Sequence, residues 1–291
     1  MSVVSRFAPS PTGPLHLGHA FSAAMAHDLA RAAGGRFLLR IEDIDRARAR
    51  PAWEEQVYDD LAWFGLQWET PVMRQSDRLP AYDEALDVLW DMGLLYPCDC
   101  TRRDILTALD APQEGAPHGP DGVIYPGTCR PDAPPAGPRP RDRALRLDMA
   151  RAAAQLSGMG MTHVRFRESG PVGGFATGAN LPDLPDLLGD IVLARRDMGT
   201  SYHLSVVVDD AAQGITDVMR GADLGPATLI HVLLQRLLGL PTPVYHHHRL
   251  IRDDAGKRLA KRDDARAIAA YRADGLTPTD LRAILSLPPA P

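Results

Sequence analysis

The chain has 291 residues, 45% hydrophobic and 24% charged, with a net charge of −5 and three cysteines. A chain of about 300 residues buries roughly three quarters of its unfolded surface, so a disordered tail and a disulfide-stapled mini-domain are excluded. The negative sign excludes a protein that coats nucleic acid by bulk charge, though a local basic face stays possible.

Residues 3–8 predict a short strand, followed by the turn-rich stretch Pro9-Ser10-Pro11-Thr12-Gly13-Pro14. High helix propensity from His19 to Ala33 predicts a helix that Gly34-Gly35 stops, and Phe37–Ile41 predicts a second strand. A strand–loop–helix–strand unit of this kind opens a parallel α/β sheet. Residues 51–66 and 80–92 read as amphipathic helices. From Cys98 to Arg143 the chain is rich in Pro and Gly, with five prolines between Pro131 and Pro140, and reads as an insertion. Thr162–Arg167 predicts a strand. Asp190–Ala194 and Leu204–Val208 predict buried strands, being short apolar runs bounded by charged residues. Leu229–Leu238 predicts a helix ended by Gly239 and Pro241. No apolar run approaches the roughly 18 residues of a membrane span, and MSVVSRFAPSP lacks the apolar stretch of a secretory signal. The expected location is the cytoplasm, without a membrane partner.

Chemistry concentrates in Pro9–His19, PSPTGPLHLGH. It lies between a strand and a helix N-terminus, where free backbone amides and the helix dipole favour an anion. Gly13 and Gly18 would let a polyphosphate approach the backbone, and His16 and His19 are spaced to face one ligand. Taken alone, HLGH is equally a turn followed by two ordinary histidines. The odd cysteine count argues against a disulfide framework, and Cys98, Cys100 and Cys129 offer three thiolates where zinc usually wants four ligands. His118 lies in the same loop as an ordinary fourth donor. His246–His248 does not read as a metal site, because alternate side chains on a strand point opposite ways. Net charges of +4 over residues 249–272 and +3 over 139–151 are local basic stretches that could follow phosphates or simply be solvated.

RFAPSPTGPLHLGHA (6–20) closely resembles the nucleotide-binding signature of class I aminoacyl-tRNA synthetases in its glutamyl-specific form. RIEDIDRAR (40–48) and VVDDAAQGITDVMRGADL (207–224) resemble two further blocks, in the family's order. The resemblance implies an α/β, Rossmann-like parallel sheet with a zinc-bearing insertion and a short helical C-terminal segment. The catalytic domain would comprise residues 1–95 and 190–262, the insertion 96–189, and the last segment 263–291.

The resemblance also implies roles. Arg6, Phe7, Ala8, Pro9, Ser10, Glu42, Tyr202 and Arg220 would hold glutamate, since arginine forks suit its carboxylates and Glu42 its ammonium. His16, Gly18, His19, Arg258 and Lys261 would bind ATP with Mg2+, and His16, His19 and Lys261 would act in catalysis. Arg258-Leu259-Ala260-Lys261-Arg262 departs from the family's second signature, with arginine for its first lysine and alanine for its serine. The order Cys-x-Cys … Tyr-x-x-x-Cys is similar to a zinc site of one branch, making Tyr125 the fourth ligand beside Cys98, Cys100 and Cys129. Only 29 residues follow Arg262, where a full glutamyl synthetase carries an anticodon-reading domain. The expectation is therefore a short, monomeric branch. It would activate glutamate with ATP without tRNA and pass it to queuosine in the anticodon of tRNA(Asp). The alternatives are a shortened synthetase charging a tRNA 3′ end, or a non-catalytic tRNA-binding paralogue.

Overall fold

The first strand of the sheet, β1 (Val4–Phe7), leads through the proline-rich loop into α1 (Leu17–Ala32) and back to β2 (Arg36–Ile41), which pairs with β1 in parallel. The computed structural model describes residues 2–109, 118–170, 173–174, 177–252 and 266–290. Helix α1 begins two residues before His19 because His16 is its N-cap. The helix ends at Ala32, and Gly34, two residues on, turns the chain with a φ of +61°. At Gly35 a Cβ would stand 2.0 Å from the Val3 carbonyl oxygen, so the tight return into β2 requires glycine.

Helix α2 (Pro51–Trp63), strand β3 (Glu69–Arg74) and helix α3 (Leu79–Asp91) continue the unit, with β3 parallel to β2. The chain then leaves the parallel sheet. Strand β4 (Leu95–Cys98), helix α4 (Arg102–Leu109) and the small hairpin β5 (His118–Gly119)–β6 (Gly122–Val123) precede β7 (Ala144–Leu147) and α5 (Met149–Gly158). Next come β8 (His163–Phe166), the hairpin β9 (Ser169–Gly170)–β10 (Gly173–Gly174), β11 (Thr177–Asn180), α6 (Leu184–Leu188) and β12 (Val192–Ala194). These strands are antiparallel, in the orders β4–β7–β12 and β8–β11.

Helix α7 (Tyr202–Ala212), strand β13 (Asp217–Gly221), helix α8 (Thr228–Leu237) and strand β14 (Val244–His248) return to the parallel pattern, β13 pairing with β14. The two parallel pieces meet at β1 and β13. The Thr216 amide donates to the Val4 carbonyl at 2.9 Å, and the Val4 amide to Thr216 Oγ1 at 2.8 Å. Short helices α9 (Ile268–Ala273) and α10 (Pro278–Ile284) follow. Ile268, Leu281 and Leu285 join the apolar cluster between α1 and β2, while a second, larger cluster runs continuously from β13 and α8 into β7, α5 and β8.

One expectation is corrected. Leu204–Val208 is not a strand but the middle of α7. Ser201 caps it, its hydroxyl accepting from the Leu204 amide, and the helix is buried on several faces, so no 3.6-residue alternation survives in the sequence.

Candidate functional site

The carboxyl ends of β1, β2 and β13 and the N-terminus of α1 surround a cleft of about 370 Å³. Of the residues singled out from sequence, Arg6, Phe7, Ala8, His16, Gly18, His19, Glu42, Tyr202 and Arg220 line it. Pro9 and Ser10 are not in its lining. Pro9 is buried behind it, where its carbonyl accepts from the Glu42 amide at 3.0 Å, and Ser10 is exposed. Arg258 and Lys261 lie outside the described residues. On either side of them, Ile251 lines the cleft and Ala267 bridges to His16.

The two histidines are organised by the helix end. His16 Nδ1 accepts from the Gly18 amide at 3.1 Å, and His19 Nδ1 accepts from the His16 amide at 3.2 Å. The rings stack with centroids 3.7 Å apart. A ring nitrogen that accepts carries no proton, so each neutral imidazole bears its N–H on Nε2. The tip of α1 thus combines backbone amides with two imidazole donors, which suits an anion.

Beneath the cleft lies a buried charge network that the sequence reading did not assign. Arg6 forks onto Asp210, Nε to Oδ1 at 3.0 Å and Nη2 to Oδ2 at 3.2 Å. The fully buried Arg40 donates to the same carboxylate at 2.7 Å and to Glu42 at 3.3 Å. The neighbouring Asp209 is bound by Gln75, Arg78 and Tyr82. Burial raises the Glu42 carboxyl above its usual value although Arg40 and Arg6 oppose that shift, so its charged form is under-satisfied, a good setting for a ligand cation. Burial also raises the Tyr202 hydroxyl, which stays a neutral donor.

Arg220 has a different environment. Its direct partners among the described residues are His247, His231 and Thr228, and its guanidinium lies 5.0 Å from the Tyr245 ring centroid. The sequence reading singles out His247 only as part of the histidine run and does not single out His231. No local motif marks either one. In that run the three residues serve different partners. His246 meets Asp217 and Ser169, His247 meets Glu168 and Arg220, and His248 meets the Arg249 carbonyl.

The cysteines form the single metal-competent cluster among the described residues, the ligand atoms of Cys98, Cys100 and Cys129 lying within 4.8 Å of one another. Tyr125 Oη is 3.5 Å from Cys98 Sγ and 3.3 Å from Cys100 Sγ, whereas His118 is exposed and outside the cluster. Metal–sulfur bonds of about 2.3 Å in a tetrahedron put sulfurs roughly 3.8 Å apart, so the spacing fits a zinc-like ion. Arg146 Nε donates to Cys98 Sγ at 3.2 Å, and its guanidinium lies over the Tyr125 ring at 3.8 Å. Burial alone would raise the Cys129 thiol, but hydrogen bonds from Tyr125 and its neighbours bring it to about 7.

The basic stretch 139–151 is neutralised within the fold. Arg139 and Arg141 pair with Asp83 and Asp87, Arg143 with Asp99 and Arg151 with Asp148, and Arg146 serves the cysteine cluster. In 249–272, Arg266 pairs with Asp274 and Arg272 with Asp59. Among the described residues, no helix is long and apolar enough to cross a membrane.

Comparison with known proteins places this geometry. The chain matches the family model described as tRNA synthetases class I (E and Q), catalytic domain, over residues 2–117 and 182–288. It is 62% identical over 286 residues to a Rhodobacter capsulatus protein named glutamyl-Q tRNA(Asp) synthetase, covering 98% of this chain and 100% of that one. A Nocardia farcinica protein of the same name is 44% identical over 294 residues, covering 98% and 86%. Among solved structures, a glutamate-tRNA synthetase from Elizabethkingia anophelis superposes with a TM-score of 0.68 at 25% identity, covering 91% of this chain. The chain spans about half of that synthetase, 53% of its length.

Proposed function

This chain belongs to the class I tRNA synthetase family for glutamate and glutamine, and on that premise we propose that it activates glutamate with ATP and transfers it to queuosine in the anticodon of tRNA(Asp). Activation would need no tRNA. The observation that carries this reading is the joint presence, in one cleft, of a helix tip suited to an anion, a buried arginine whose partners among the described residues are two histidines and a threonine, and the buried Glu42. An acidic amino acid beside a nucleotide meets all three needs.

In the first step a glutamate α-carboxylate oxygen attacks the α-phosphorus of ATP. The bond from that phosphorus to the bridging oxygen breaks, and pyrophosphate leaves with the electron pair. His16 and His19 offer Nε2–H donors to the phosphate oxygens as charge shifts among them. Lys261 and Arg258 are assigned to the triphosphate by the similarity of their stretch to the second signature. Arg6 and Arg220 meet the carboxylates of glutamate, Glu42 accepts from its ammonium, and Tyr202 donates to it. Phe7 and Ala8 wall the pocket, while Pro9 and Ser10 shape the loop. Mg2+ bound with ATP would offset phosphate charge. In the second step a queuosine hydroxyl attacks the glutamyl carbonyl, and AMP leaves with the electron pair while the hydroxyl proton passes to solvent.

Transfer of labelled glutamate to tRNA from cells with and without queuosine tests the acceptor. Label should enter only the queuosine-containing tRNA. Equal labelling of both would favour charging of the 3′ end, and no pyrophosphate exchange with glutamate would favour a non-catalytic tRNA binder.

Zinc held by Cys98, Cys100, Cys129 and Tyr125 would serve structure, because the four donors fill a tetrahedron and leave no open position. Metal analysis of protein purified without chelator should find about one zinc ion per chain, and Cys98→Ser should lower that content and the melting temperature together. Wild-type protein free of zinc would reject the assignment.

A further inference from the structure

Arg6 and Arg220 are both buried arginines of the cleft, yet they are held in opposite ways. The charge of Arg6 is met by Asp210. Arg220 instead has Nε 3.2 Å from His247 Nε2, Nη1 3.0 Å from His231 Nδ1 and Nη2 2.6 Å from Thr228 Oγ1.

Guanidinium donates only, so both imidazole nitrogens facing it must accept. His231 therefore carries its proton on Nε2, which lies 3.1 Å from His203 Nδ1. His203 accepts there and bears its own proton on Nε2, 3.4 Å from Asp121. His247 accepts at Nε2 and so carries its proton on Nδ1, 2.8 Å from Glu168. One set of neutral tautomers satisfies every contact. Burial, followed by the charge of Arg220, holds His231 well below the usual histidine range and so neutral.

A guanidinium has five N–H groups. Among the described residues three are taken, one on each nitrogen, and the other two sit on Nη1 and Nη2, the pair that makes a fork on a carboxylate. We propose that His231 is a positioning residue for amino-acid selection. As a neutral acceptor it fixes Arg220 without cancelling its charge, and so leaves that charge and a two-pronged donor edge for a ligand carboxylate. His247 and Thr228 do the same from the other nitrogens. The proposal rests on the reading that Arg220 contacts glutamate.

The test is ATP–pyrophosphate exchange with glutamate as the varied substrate. No exchange by the wild type would defeat the underlying reading, whatever the variants do. Given exchange, His231→Asn and His231→Asp form a matched pair, since both put an oxygen acceptor near the place of Nδ1 and only the aspartate cancels the charge. The asparagine variant should keep the KM for glutamate within about threefold of wild type. The aspartate variant should raise it by about tenfold or more with the KM for ATP unmoved, because a hydrogen-bonded charge is lost to the substrate. Equal glutamate KM values for the pair, or parallel changes in both substrates, would overturn the proposal. Thr228→Val, nearly isosteric, repeats the test should the aspartate variant not fold. It should raise the glutamate KM by about tenfold and leave that for ATP alone, and an unchanged glutamate KM would count against the proposal.

Discussion

Arg220→Ala should lower kcat/KM for glutamate in ATP–pyrophosphate exchange by about 10²–10³-fold, while ATP affinity stays within about threefold. Alanine removes the buried guanidinium of the cleft whose direct partners among the described residues are histidines and a threonine, so a substrate carboxylate entering there would lose its charged donor after losing water. Arg6 cannot take over, because Asp210 occupies its Nε and Nη2. The nucleotide's expected contacts lie elsewhere, at the tip of α1. Arg220→Lys should recover little, since a point charge cannot replace a fork or satisfy His247, His231 and Thr228 together. A fall in ATP affinity as large as the fall for glutamate would mean that Arg220 holds the fold of the cleft instead.

Local signals made much of this site legible. The turn-rich loop before an alanine-rich helix marks the helix tip proposed for the anion, and glycines mark where α1 must stop. Within the cysteine cluster the short spacings Cys98–Cys100 and Tyr125–Cys129 were legible, but the fold brings the two pairs together over 25 positions or more. What stayed hidden depends on contacts across long separations. Asp210 meets Arg6 and Arg40 over 204 and 170 positions, and nothing in either segment announces that pairing. His231 sits in an apolar helix, where a core histidine and a positioning histidine look the same. Leu204–Val208 misled for a related reason. A helix buried on several faces loses its amphipathic period, and its β-branched valines then mimic a strand.

Those same long-range charges carry the largest expected effect on stability. Asp210→Asn leaves two guanidinium groups facing a neutral amide, one of them the fully buried Arg40. Removing one partner of a buried ion pair typically costs about 3–5 kcal/mol, because the other charge stays out of water. For a chain of this size that corresponds to a fall in melting temperature of roughly 5–8 °C. The sign of the pH dependence is fixed as well. Burial alone would raise the Asp210 carboxyl, but Arg6 and Arg40 outweigh it and hold the group below its ordinary value of 3.8. A depressed folded-state value means that the stabilisation is fully present above the unfolded value and is lost as pH falls through the folded one. The gap in melting temperature between wild type and Asp210→Asn should therefore be flat at higher pH and narrow only below 3.8. Circular dichroism melts of both proteins across that range provide the check. A variant that melts within about 2 °C of wild type near pH 7 would show that Arg6 and Arg40 find other partners, and that Asp210 is not what holds them under the cleft.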